Sequence, residues 1–448
     1  MSQPLMRRAA SVGASLALLV LSSCVDSTIL EVTDPDVLNI PDFNTPAGAT
    51  PLRNGVIQDF AVAFAGSTNV DSYVVVSGNL ADEIRSTDTF DDRLFVNRRV
   101  DLEANPSMLT FYRNLHRARA GATRALGILT TTAPTPRFNL GELFALRGFT
   151  EIYFAELYCS GVPFSVEDGV TTEFGDPQTT VQILNRAVAS FDSALALADT
   201  STRVRFTAAV GKGRALLDLG RFADAAAAVA GVPTTFRVQT QHSQASARQE
   251  NSPWNALSPN ASRYTIVTRE GGNGLNYLQT PADPRMPWAT STRSGFNSAH
   301  TNLPVQNKYT RTGPVTYADG IEARLIELEA RLQGGTQADR DAVFAGLNTL
   351  RTTNTPAVTA IAGPAPTTQA AAVDLLFQER AYWFWLTGHR LGDMRRLLRQ
   401  YGRAAESVFP TGEQAPPLIG PYGTAVNLII PFEERNNPKY QGCIDRRP

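Results

Sequence analysis

The chain of 448 residues has a net charge of −1 at pH 7, with 43% hydrophobic and 19% charged residues. This composition is typical of a globular protein, and the length permits a large core and about two or three domains. Because the charges balance, the sequence gives no electrostatic basis for binding nucleic acid or an acidic membrane surface.

Residues 1–23 have the pattern of a bacterial lipoprotein signal peptide. Arg7 and Arg8 form a basic region, Ala9–Leu21 is apolar but too short to span a bilayer, and the sequence LSSC ending at Cys24 matches a lipobox. In proteins with this motif the chain is cleaved before the cysteine, which is then lipidated. We therefore predict Cys24 as the lipidation site and a lipid anchor in the membrane. The alternative is an ordinary secretory signal with a chance cysteine.

Two further cysteines, Cys159 and Cys443, remain in the exported chain. An exported protein meets an oxidising environment, which favours a disulfide between them. Such a bond would tie the C-terminal tail to the scaffold and stabilise the fold by roughly 2–4 kcal/mol. The alternative is two separate reduced thiols, because the sequence does not show the distance between them.

Residues 24–50 contain acidic residues and prolines without sustained periodicity, which predicts an extended tether. From residue 51 to 448 we predict a single domain dominated by helices, because apolar residues recur at helical spacing. The polar stretch Ser86–Asn97 is predicted as a loop. The predicted helical or apolar segments before residue 200 are 51–66, Tyr73–Leu80, Asn105–Leu129, Leu140–Ser160 and Val181–Ala198.

The helix pair Arg205–Gly220 and Arg221–Val229 matches the turn of a tetratricopeptide repeat. In that pattern a glycine ends the first helix and an aromatic residue starts the second, and here Gly220 and Phe222 stand at those positions. A weaker second copy runs from residue 321 to 350 through two adjacent glycines. Together the two copies predict a scaffold of stacked helix pairs.

Residues 234–320, which we call the insertion, interrupt the helical pattern. The insertion is rich in Gly, Ser, Asn, Thr and Pro, and it is too long for a plain connection. We therefore predict a large loop-rich segment with some ordered structure of its own. Two shorter segments follow later in the chain, a loop at Thr352–Thr368 and a short strand or extended segment at Val426–Pro431.

Four consecutive aromatic residues, Tyr382 to Trp385, lie within the stretch Glu379–Arg396. On a solvent-facing helix such a run would expose large aromatic side chains to water, so we predict one continuous scaffold helix that is buried on most sides. Buried charges must be paired, and Asp393 is spaced to pair with both Arg390 and Arg396.

The order of these features resembles the SusD/RagB family of outer-membrane lipoproteins. The residues that carry the resemblance are the lipobox Cys24, the segment from Leu146 to Phe164, the helix Glu322–Glu327, the stretch Glu379–Arg396 and the ending Ile430–Pro438. The resemblance implies an all-α, tetratricopeptide-like fold with the insertion at the ligand face. It also implies a lipid-anchored protein exposed on the bacterial outer membrane, which captures an oligosaccharide, or alternatively a peptide, for a TonB-dependent (SusC-like) transporter.

A sugar ligand requires exposed aromatic faces that stack on its rings, with polar side chains nearby for its hydroxyl groups. The loop after Asp82 offers Arg85 and Phe90 as one edge of such a site. The alternatives are that the aromatic residues of the insertion form its own small core and that the loop is merely solvated. The candidate ligand-binding residues within the insertion are Trp254, Tyr264, Tyr277 and Trp288.

The sequence favours a binding protein over an enzyme. Its four histidines are scattered, and it contains no zinc-binding spacing, nucleophile elbow or phosphate-binding loop. We therefore predict no catalytic residues, no metal and no cofactor. Carboxylate pairs such as Asp82 and Glu83 leave a surface glycoside hydrolase as a less favoured alternative. A scaffold for protein partners fits the helices but not the aromatic insertion.

Overall fold

The computed structural model describes residues 45–68, 71–167, 171–258 and 261–446. The predicted signal peptide, the lipidation site Cys24 and most of the predicted tether lie outside these residues. Within the described ranges, no helix is both long enough and apolar enough to cross a membrane.

The architecture is predominantly helical, as the sequence predicts, with short strands concentrated in the loops. The α-helices of the described residues are α1 (Pro46–Ala65), α2 (Tyr73–Leu80), α3 (Asp91–Asn97), α4 (Pro106–Thr132), α5 (Arg137–Leu157), α6 (Thr180–Leu197), α7 (Thr202–Asp218), α8 (Phe222–Val229), α9 (Ser252–Leu257), α10 (Gly320–Leu332), α11 (Gln337–Thr353), α12 (Gln369–Trp383), α13 (Arg390–Tyr401) and α14 (Ala405–Val408). The strands are β1 (Ile84–Ser86), β2 (Val162–Pro163), β3 (Val166–Glu167), β4 (Thr172–Glu173), β5 (Pro177–Gln178), β6 (Arg237–Thr240), β7 (Tyr264–Ile266), β8 (Trp288–Thr290), β9 (Pro304–Gln306) and β10 (Val315–Asp319).

The predicted helix pairs form the scaffold. Helix α7 ends before Gly220, whose φ of 73° turns the chain, and α8 begins at Phe222, as the repeat pattern predicts. Helices α10 and α11 form the second predicted pair. Neighbouring helices approach closely at glycine positions, because glycine has no side chain to separate them. A Cβ added to Gly211 would lie 2.3 Å from the ring of Phe191, so only glycine admits this aromatic side chain between α6 and α7.

The insertion folds into short paired strands rather than an open loop. All of its strands pair antiparallel: β6 with β10, β8 with β9, and β7 with β1 from outside the insertion. Each strand has only three to five residues, so the side chains beneath the sheets carry most of the stabilisation. The insertion is therefore an ordered part of the fold.

A disulfide between Cys159 and Cys443 joins the C-terminal tail to the end of α5, and the two Cα atoms are 5.6 Å apart. Of the two alternatives that the sequence left open, the structure has the bonded pair. The tail Val426–Pro431, predicted as a short strand or an extended segment, forms no strand, but Leu428 makes a single parallel bridge with Tyr158 beside the disulfide.

Two predicted boundaries differ in the structure. Helix α1 begins at Pro46, inside the predicted tether, because Thr45 caps it and proline suits the first helical turn. The predicted loop Ser86–Asn97 contains the short helix α3, whose first turn holds Asp91 and Asp92 at the positive end of the helix.

The prediction of one continuous helix over Glu379–Arg396 is wrong. Helix α12 ends at Trp383 and α13 begins at Arg390, and the six residues between them form a tight turn. Leu386 and Gly388 have φ angles of 55° and 83°, which a helix does not allow. The stretch is nevertheless buried, and the side chain of Trp385 has no exposed surface.

The charges in this stretch are paired, but only partly as predicted. Asp393 accepts hydrogen bonds from Arg396 at 2.8 Å, which confirms one predicted pair, and from Arg380 at 2.8 Å. Arg390 does not pair with Asp393, because the turn aims its guanidinium at Asp82, 2.6 Å away. The stretch therefore links the helical scaffold to the chain that leads into β1.

Candidate functional site

The two edges of the predicted ligand site lie side by side. Strand β1 pairs antiparallel with β7 of the insertion, so that Arg85 lies opposite Thr265 and Ser86 opposite Tyr264. Strands β1 and β7 are about 180 residues apart in sequence, and this short ladder joins the loop after Asp82 and the insertion into one surface. The sequence predicted both edges but not the pairing that brings them together.

A turn at residues 295–300 continues this surface past the end of β1. The backbone N–H of Asn297 donates to the carbonyl oxygen of Thr87 at 2.9 Å, and the N–H of Phe296 donates to Ser262 at 2.9 Å. A Cβ added to Gly295 would lie 2.7 Å from the Cβ of Thr87, so glycine is required for this close approach. The turn therefore places Phe296 beside the predicted candidate Phe90.

Phe90 and Phe296 form an exposed aromatic pair. Their side chains are 49% and 46% exposed, and their ring centroids are 6.5 Å apart. The guanidinium of Arg263 lies 4.1 Å from the Phe296 ring and 5.1 Å from the Phe90 ring, where it holds both rings in place. Arg263 is itself fixed by an ion pair with Asp88 at 2.7 Å. Large exposed rings are suited to stacking against a ligand.

A groove of about 590 Å³ is lined by Ala299 and His300 of the same 295–300 turn that carries Phe296, although neither Phe90 nor Phe296 lines it. It has both polar and apolar walls, which suits a ligand with hydroxyl groups on an apolar frame. The residues that line it include Arg85, Thr265, Thr268, Leu278, His300, Pro304, Pro416 and Pro417.

Two polar side chains that line the groove, those of Arg85 and His300, interact with neighbouring residues. Arg85 forms an ion pair with Glu270 at 2.5 Å, and the hydroxyl of Tyr422 donates to the same carboxylate. Burial and the nearby Arg85 guanidinium lower the pKa of His300 to about 4, so its ring is neutral at physiological pH. Its Nδ1 is bonded to Asn297, whereas its Nε2 has no hydrogen-bond partner among the described residues. That nitrogen is buried in the structure.

Two of the predicted binding residues are core residues instead. Tyr264 and Tyr277 are 1% and 0% exposed. The hydroxyl of Tyr264 donates to Asp71 at 3.3 Å, and that of Tyr277 donates to Asp82 at 3.2 Å. Neither ring has a face for a ligand, which contradicts their assignment to the site. They anchor the insertion on the scaffold, which is the alternative role considered from the sequence.

The two predicted tryptophans are half-buried. Trp288 lies on β8, and its indole N–H donates to the carbonyl oxygen of Gln279 at 3.2 Å. Strand β8 pairs with β9, whose first residue, Pro304, lines the groove. Trp254 packs against the core and lies 5.8 Å from the Arg311 guanidinium. Their roles as binding residues stay predictions.

Sequence reasoning missed Phe296 and His300 as members of the site. Both lie in the polar run SGFNSAH, where a phenylalanine between turn-forming residues was the available signal. Among the described residues, no group of three or more His, Cys, Asp or Glu side chains is placed to hold a metal ion.

No protein-family model and no curated protein sequence matches the chain. Solved structures do match it. A SusD superfamily protein from Bacteroides thetaiotaomicron has a TM-score of 0.66 at 14% identity and covers 89% of this chain and 99% of its own. A SusD superfamily protein from Bacteroides vulgatus has a TM-score of 0.62 at 12% identity, with 89% and 98% covered. A SusD-like carbohydrate binding protein from the same organism has a TM-score of 0.61 at 14% identity, with 88% and 97% covered. At such low identity, the likeness concerns the fold.

Proposed function

We propose that this chain, which has the SusD-like fold, is a non-catalytic nutrient-binding lipoprotein of the cell surface. It captures oligosaccharides in the groove beside Phe90 and Phe296 and delivers them to a TonB-dependent outer-membrane transporter. Cys24 carries the lipid anchor in this proposal.

The observation that carries the proposal is the exposed aromatic pair beside a polar groove. Pyranose rings present apolar C–H faces that stack on aromatic rings, and Phe90 and Phe296 offer two adjacent faces. The hydroxyl groups of a sugar need donors and acceptors, which Arg85 and Thr268 supply in the groove. The groove volume of about 590 Å³ falls within the range of ordinary ligand pockets.

Two further observations support the same function. Two of the structures with the same fold are described as SusD-like carbohydrate binding proteins. In addition, the lipobox at Cys24 fits a protein held at a membrane surface, where a transporter can receive its ligand. Delivery to a transporter rests on the resemblance to the SusD/RagB family.

The test is a glycan and peptide binding screen of the purified chain, followed by titration of the best ligand against variants. We expect an oligosaccharide to bind, and Phe90→Ala and Phe296→Ala each to weaken it by about threefold to tenfold through lost stacking. Phe174→Ala is the matched control, because Phe174 is an exposed phenylalanine in a different cavity.

The screen also separates the alternatives. Unchanged affinity in both phenylalanine variants would place the ligand elsewhere and overturn the assignment of this site. Binding of peptides alone would favour the peptide alternative. Release of shortened sugars during the incubation would identify a glycoside hydrolase.

A further inference from the structure

A second cavity, of about 570 Å³, is lined by α4, by residues of the β3–β4 hairpin and by the short 3₁₀ turn Phe432–Asn436. It shares no lining residue with the groove. Helix α4 contributes three arginines to its wall, Arg113, Arg117 and Arg119. This concentration of positive charge on one wall distinguishes the cavity.

Arg113 and Arg117 are exposed cations without partners. They lie four residues apart on α4, which places them on the same face of the helix, and both side chains are exposed. Neither side chain forms an ion pair or a hydrogen bond with any of the described residues. Like charges at this spacing repel each other and slightly destabilise the helix. An anion that bridges the two guanidinium groups would remove this repulsion.

Arg119 adds a third positive charge from the buried side of the same wall. It is 2% exposed, its guanidinium lies 4.6 Å from the ring of Phe164, and its Nη2 donates to the carbonyl oxygen of Ser165 at 2.5 Å. Among the described residues, no carboxylate forms an ion pair with Arg119, and its Nε has no hydrogen-bond partner.

Arg119 acts on the cavity through its charge and not through contact with a ligand. Burial lowers the pKa of Arg119 to about 10, so the side chain is still charged at neutral pH. A buried charge is screened by water less than an exposed one. Its guanidinium therefore makes the cavity more favourable for an anion, although its own atoms are covered.

The carboxylates that line the cavity lie on the 3₁₀ turn, away from the arginines of α4. Glu434 accepts a hydrogen bond from the hydroxyl of Tyr112 at 3.1 Å, whereas Glu433 has no partner among the described residues. Neither forms an ion pair with Arg113 or Arg117, so the cavity keeps its charges apart. A fitting ligand has an anionic group for the arginines and hydroxyl donors for the two carboxylates.

We propose that this second cavity binds an acidic sugar, whose carboxylate or sulfate group lies on Arg113 and Arg117 and whose hydroxyl groups donate to Glu433 and Glu434. A guanidinium group suits such an anion, because it can form two parallel hydrogen bonds with its oxygens. The inference does not depend on the proposed function, since it concerns different residues and a different cavity.

The test is calorimetric titration of the purified chain at low salt with galacturonate and with galactose 6-sulfate, and with galactose as the uncharged comparison. We expect at least one acidic sugar to bind about tenfold or more tightly than galactose, which has no group for the arginines. Binding of galacturonate alone would identify a carboxylate as the ligand group, and binding of galactose 6-sulfate alone would identify a sulfate.

Variants separate this cavity from the rest of the molecule. The double variant Arg113→Gln, Arg117→Gln should bind the acidic sugar about tenfold or more weakly than the parent. Arg124→Gln is the matched control, because Arg124 is an exposed arginine of α4 that does not line the cavity. Phe90→Ala should leave the binding of the acidic sugar unchanged, since Phe90 lies outside this cavity.

Four results would overturn the proposal. The first two are that neither acidic sugar binds and that galactose binds equally well. The third is that the double variant binds like the parent. The fourth is that Arg124→Gln weakens binding as much as the double variant does, because the sugar would then respond to the charge of the whole helix. A loss of binding in Phe90→Ala would place the acidic sugar at the aromatic pair and overturn the proposal as well.

Discussion

At the scale of single residues, several buried carboxyl groups have a stronger affinity for protons than exposed ones. Burial raises the pKa of Glu83 to about 8, that of Asp218 to about 8 and that of Glu322 to about 7. Each folded-state pKa lies above the unfolded value, so the folded chain binds more protons near neutral pH. The stability that these groups contribute is present below pH 4 and is lost as the pH rises through the folded pKa values.

The buried histidines change the stability of the fold with pH in the opposite direction, and they do so in a lower pH range. Burial lowers the pKa of His116, His300 and His389, so the unfolded chain binds more protons below about pH 6.5. Their effect on stability is complete above that pH. Between about pH 6.5 and 8 the carboxyl groups dominate the change in stability, and Lys308, whose pKa burial lowers to about 8, opposes them at the upper end of this range.

We predict that the melting temperature falls when the pH is raised from about 6.5 to 8. In Glu83→Gln the fall should be smaller, because glutamine has no charge to gain at this buried position. Glu406→Gln, at an exposed glutamate, serves as the control and should follow the parent. Thermal unfolding monitored by circular dichroism at several pH values measures the effect, and a melting temperature that rises over this range would contradict it.

At the scale of secondary-structure elements, the helices were predictable and the turns were not. The apolar periodicity of the paired helices depends only on local spacing, and those helices appear where the sequence predicted them. The break between α12 and α13 was not predictable, because Leu386 and Gly388 adopt their positive φ angles to meet distant parts of the chain. Gly388 packs directly on the ring of Tyr73, and this contact is absent from any local pattern.

The turn between α12 and α13 can be tested by two glycine substitutions. Gly388 has a φ of 83°, and an added Cβ would lie 2.5 Å from the Tyr73 ring, whereas Gly402 has a φ of 61° with no atom within 4 Å of its Cβ. Both alanine variants should lose roughly 1 kcal/mol of unfolding free energy through backbone strain. Gly388→Ala should lose about 1–3 kcal/mol more through the clash. If chemical denaturation shows that both variants lose the same unfolding free energy, the contact between Gly388 and Tyr73 is not tight.

At the scale of the whole molecule, the sequence predicted the fold class and half of the candidate site. Arg85 and Phe90 were identified because they lie in the polar loop after Asp82. Phe296 and His300 were not, because their position depends on the contact of the 295–300 turn with Thr87, more than 200 residues earlier. Tyr264 was misassigned because an aromatic residue in a loop-rich segment has the same local pattern whether it anchors the segment or binds a ligand.

Membrane anchoring is a property of the full chain and has its own test. We predict that Cys24→Ala leaves the protein outside the membrane fraction, because the proposed acyl chains cannot be attached to alanine. Fractionation of cells that express the parent and the variant measures this. Cys443→Ala is the control, since loss of the Cys159–Cys443 disulfide should not release an anchored protein. Equal membrane association of the parent and Cys24→Ala would contradict the anchor.

The most direct test of the central claim is a crystal structure of the chain with the oligosaccharide that binds most tightly in the screen. We predict sugar rings stacked on Phe90 and Phe296, with hydroxyl groups within hydrogen-bond distance of Arg85 or Thr268 in the groove. A sugar bound elsewhere, away from these four residues, would contradict the claim.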